Sequence, residues 1–105
     1  MHVRIKNRTA IIEFEANSDN MVHSQVIEEI VHLVSHQFNK FVFDFSNVKL
    51  SFNSTISGFL LAISKKLIES KVEVCIQNIA KEDLEMLGII GMNDLKEIKY
   101  TIRES

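Results

Sequence analysis

The sequence predicts an α/β fold: a mixed, mostly parallel β-sheet of about five strands, with three to four helices mainly on one face. A hairpin pattern opens the chain, and after it apolar segments of period two alternate with segments of helical period. Such alternation builds right-handed crossovers between parallel strands. With 105 residues, 46% of them hydrophobic, the chain supports one core and is too short for two. Residues 1–105 are therefore expected to form a single domain. Proline is absent and the three glycines, Gly58, Gly88 and Gly91, are scattered, so nothing reads as a linker.

Val3 and Ile5 alternate with polar neighbours, and Ala10, Ile12 and Phe14 do the same after a polar Asn7-Arg8 turn. This pairing predicts an antiparallel hairpin. From Met21 to Phe38 the period changes. Val22, Val26, Ile30 and Val34 recur every four residues, widened by Ile27, Val31 and Phe38 into a helix face, with Asp19 or Asn20 as N-cap. Phe41-Val42-Phe43-Asp44-Phe45 is a short apolar run suited to a strand buried on both faces. Polar residues Ser46 to Asn53 form a loop, and Ile56, Phe59, Leu60, Ile63 and Leu67 define a second helix ending near Ser70. Val72, Val74 and Ile76 alternate as a strand. A third helix is predicted to begin at Asn78, with Glu82 and Asp83 in its first turn, Leu84 and Leu87 inward, and Gly91 closing it in a left-handed cap. Ile98, Tyr100 and Ile102 predict the last strand.

Charge narrows the function. Twelve Lys and Arg against fourteen Asp and Glu give a formal net charge of −2, without the basic stripe that nucleic acid requires or a cationic cluster for anionic lipid. The start, MHVRIKNRTA, lacks the apolar run of a signal peptide, and no stretch has the length and apolarity of a membrane span. A lone cysteine, Cys75, cannot close an internal disulfide. A cytoplasmic protein without membrane insertion and without nucleic acid as partner is expected.

The constellations that could carry catalysis are weak. Glu28, His32 and His36 share one helical face, but no third ligand stands at a metal-binding spacing, so a solvated polar face is the better reading. Cys75, between Val74 and Ile76, reads as a buried small hydrophobe. Asp44 reads as a strand-end hydrogen-bonding residue, since a lone carboxylate makes no acid–base pair. The glycines match no phosphate-cradling loop. No enzyme activity, metal or cofactor is expected.

The segment Ser51-Phe52-Asn53-Ser54-Thr55-Ile56-Ser57-Gly58 is more informative. Asn53 suits an N-cap, and Ser54 and Thr55 open the helix where the dipole favours an anion. A phosphoryl group there would add about −1.5 to −2 charges without melting the fold. On local chemistry alone, however, these residues read first as ordinary capping.

Here the sequence resembles the STAS domain of anti-sigma-factor antagonists. Phe41-Val42-Phe43-Asp44-Phe45-Ser46-Asn47-Val48 is similar to that family's hydrophobic-strand, Asp, Leu, Ser, x, Val segment. Leu87-Gly88-Ile89-Ile90-Gly91-Met92, with Leu95 and Ile98, is similar to its third helix and glycine turn. The family's regulatory motif, Asp-Ser-Ser/Thr-Gly-hydrophobic-Gly, aligns with Asn53, Ser54, Thr55 and Gly58, whereas Ile56 replaces its first glycine and Ser57 its hydrophobic residue. The resemblance implies Ser54 as phosphorylation site, with Thr55 as alternative. It also implies a partner-binding set of Asn53, Ser54, Thr55, Ser57 and Gly58, and an anti-sigma factor or serine kinase as the protein partner. The departures at Asn53 and Ile56 leave a second expectation: a STAS scaffold or small subunit, without phosphorylation, of a stress-signalling or lipid-transport assembly.

Overall fold

The computed structural model describes residues 2–14, 28–32, 37–47 and 54–103. Strands β1 (His2–Lys6) and β2 (Thr9–Glu13) form the predicted hairpin. Asn7 and Arg8 both adopt positive φ, 51° and 69°, which is what a two-residue turn needs to match the strand twist. Helical residues 28–32 belong to α1. Next come β3 (Lys40–Asp44), α2 (Ser54–Glu69), β4 (Glu73–Ile79), α3 (Lys81–Ile89), a 3-10 turn (Met92–Asp94) and β5 (Lys99–Ile102).

The five strands lie in sequence order, β1-β2-β3-β4-β5. The β1–β2 pair is antiparallel and the other three are parallel, so Lys40–Asp44 and Glu73–Gln77 are adjacent parallel neighbours as the sequence predicts. Each crossover steps one strand in the same direction, and right-handed crossovers of that kind put all their helices on one face. The register shows which face. Ala10, Phe41 and Val74 form one row, and Ile12, Phe43 and Ile76 the next; all six are buried. Val31 of α1, Leu60, Ile63 and Leu67 of α2, and Leu87 of α3 close over them. Burying a Leu or Ile side chain contributes about 1.5–3 kcal/mol, so this layer is the fold's main source of stability.

The opposite face carries no helix among the described residues. Its central row is Arg4, Ile11, Val42, Cys75 and Lys99. Val42 and Cys75 are nonetheless buried, with Lys40, Glu73 and Lys99 as neighbours on that face; long side chains shield apolar atoms with their stems while keeping charge in water. Two ion pairs, Arg4–Glu13 at 2.6 Å and Lys99–Glu73 at 3.0 Å, stand at its two sides.

Two expectations need correction. The first helix was expected to reach Phe38, but Gln37 lies in a turn and Phe38 is non-helical. Asn39 is already engaged with the sheet, donating to the Arg8 carbonyl at 3.1 Å and accepting from Glu73 N–H at 2.9 Å. Phe38 instead packs edge-on against Phe41, centroids 6.1 Å apart. The proposed caps Asp19 and Asn20, and Met21 to Ile27, lie outside the described residues. Asn78 does not begin the third helix. It is still in β4, at φ 58° within a register shift between Ile76 and Ile79, and the helix starts at Lys81 after Ala80, which supplies no side-chain cap. The last strand lies where expected, and Ile102, the register partner of the buried Ile79 on this edge strand, is half exposed.

Gly91 ends the α3 region as predicted, at φ 103°, and its N–H donates to the Gly88 carbonyl at 3.2 Å. The end of α2 uses a less expected residue: Lys71 takes φ 62°, letting Val72 N–H reach back to Leu67 O at 2.9 Å.

Candidate functional site

In a sheet of parallel strands, the loops leaving the C-terminal strand ends converge, and ligands and partners meet the fold there. In this chain that edge is assembled by three strands. Asp44, last residue of β3, accepts through Oδ1 from Ser46 N–H at 3.0 Å and from Asn78 Nδ2 at 3.1 Å. The first bond folds the chain sharply after the strand, as an Asx turn does; the second ties that turn to β4. Arg103, just past β5, donates from Nε to the Asn78 carbonyl at 3.2 Å and from Nη2 to the Phe45 carbonyl. Its own N–H donates to Ile79 O at 2.8 Å. Phe45 is buried and stacks on Phe14, with centroids 4.8 Å apart and planes 2° from parallel. The loop that leads to α2 therefore leaves from a fixed base.

Asp44 holds the strand-end role expected of it. Asn78 and Arg103 were missed. An Asn just after an apolar alternation is a signal for a left-handed backbone residue and a bulge; for Arg103 no comparable signal exists, because its partners are two backbone carbonyls distant in sequence.

The helix that follows begins at Ser54, so Ser54 and Thr55 occupy its first turn. Asn53 lies outside the described residues. No acidic residue stands in that turn, whereas α3 has Glu82 and Asp83 in its own. The positive end of the α2 dipole is thus uncompensated by a carboxylate from its own helix, a setting that favours an anion. Gly58 comes one turn after Ser54; it is exposed, and a Cβ added there would meet nothing within 4 Å. Ser57 is fully buried on the other side of the helix, so it presents no surface to a partner. Its hydroxyl, like that of Ser64 two turns on, has no hydrogen-bond partner among the described residues. Small side chains at both places let α2 sit close to the sheet.

Elsewhere the titratable groups point away from chemistry. Glu28 and His32 are exposed, Glu28 reaches Lys66 at 3.6 Å, and His36 lies outside the described residues. Among the described residues no group of three or more His, Cys, Asp or Glu could hold a metal ion. Burial pushes the Cys75 thiol up from its ordinary value, against a thiolate's needs. Among the described residues no helix is long and apolar enough to cross a membrane.

The STAS-domain family model matches residues 1–105, and the chain belongs to that family. Solved structures share the fold at low identity. One, described as the molecular architecture of the stressosome, a signal integration and transduction hub, superposes with a TM-score of 0.74 at 16% identity, covering 97% of this chain and 88% of that one. A Ser-to-Glu variant of RsbS from Moorella thermoacetica gives 0.76 at 16% identity, covering 97% and 88%. The NMR structure of the protein TM1081 gives 0.76 at 16%, covering 96% and 79%. No curated protein matches the chain in sequence.

Proposed function

We propose that this STAS domain is a cytoplasmic protein-binding signalling module that engages a kinase-type anti-sigma factor through Asn53, Ser54, Thr55 and Gly58. Phosphorylation of Ser54, with Thr55 the alternative acceptor, releases the partner. The observation that carries the reading is Gly58. Glycine inside a helix is less stable than alanine by about 1 kcal/mol, and no neighbour in the fold requires its missing side chain. A partner backbone that approaches closely one turn beyond Ser54 supplies the reason.

The switch follows from charge. A neutral hydroxyl at the start of α2 is compatible with a close, desolvated contact. A phosphoryl group there keeps favour with the helix dipole, so the domain stays folded, but places about −1.5 to −2 charges in a surface matched to a hydroxyl. Incubation with ATP and the kinase-type partner, followed by phosphopeptide mass spectrometry, tests this. The expected result is phosphate on Ser54 and its loss in Ser54→Ala. Phosphate on neither Ser54 nor Thr55 would contradict it.

One alternative has support of its own. Asn53 and Ile56 replace the acid and first glycine of the family motif, and the fold is shared with a structure from the stressosome. These favour a STAS scaffold of a signalling assembly that is never phosphorylated. In that case partner binding persists, and Ser54→Asp changes it no more than Ser54→Ala.

A further inference from the structure

We draw no further inference here: the strongest candidate, the exposed apolar stripe of Met86 and Ile89 on α3 with Glu82 and Glu85 beside it, carries nothing because nothing in the structure shows what covers it.

Discussion

Asp44 accepts two hydrogen bonds from groups that are far apart in the chain, Ser46 N–H and Asn78 Nδ2. Asp44→Ala leaves both donors short of a partner, and a lost bond to a charged acceptor costs about 1.5–3 kcal/mol. We expect a loss of that size in urea denaturation. Asn78→Ala should lose one of the two bonds and also strain a left-handed backbone position, which Asn tolerates better than Ala. In the core, Leu60→Ala and Ile63→Ala should each cost about 2–4 kcal/mol, and Lys65→Ala and Lys66→Ala should be near neutral; the first pair is buried and the second exposed.

Burial also sets a pH limit. Desolvation pushes the Cys75 thiol and the Tyr100 phenol up from ordinary values of 9.0 and 10.0. Between the unfolded and the raised folded values the unfolded chain holds fewer protons than the native one, so stability falls with rising pH. Thermal melts should be level through neutral pH and decline above about pH 9, with Cys75→Ala removing the earlier part of the decline.

At the level of elements, Gly58 and Gly91 make opposite predictions. Gly58→Ala places a methyl group in open space within α2 and should raise stability by about 1 kcal/mol. If the partner approaches there, the same change weakens binding, and a variant that is more stable yet binds less well separates contact from folding. Gly91→Ala should destabilise, because φ 103° lies where side chains are strained. What the sequence revealed of these elements follows the same physics. Period-two and period-four patterns in Ala10–Phe14, Phe41–Phe45 and Ile56–Leu67 report directly on burial, and those elements lie where expected. Asn78 and Phe38 were misplaced because element ends are decided by backbone pairing: the β4 bulge and the Asn39 bonds to Arg8 and Glu73. Ser57 was placed with the contact residues by its motif position, and its burial is set by helix phase, one residue before Gly58.

For the whole molecule, the C-terminal strand edge is a rigid base made by Asp44, Phe45, Asn78 and Arg103, and the start of α2 stands at the end of the loop that leaves it. Composition excluded nucleic acid and membrane from the expected partners, and the strand–helix order indicated the sheet; the base itself could not be read, since its bonds join residues up to 58 positions apart. The central claim is that the start of α2 is a binding surface switched by charge on Ser54. The most direct measurement is calorimetric titration of the kinase-type partner with the unaltered domain, Ser54→Ala and Ser54→Asp, beside the phosphorylated protein. The account predicts that the first two bind alike, that Ser54→Asp weakens binding in part because it carries less charge than phosphate, and that the phosphorylated form weakens it further. Equal affinity for all four, with unchanged melting curves, would contradict it.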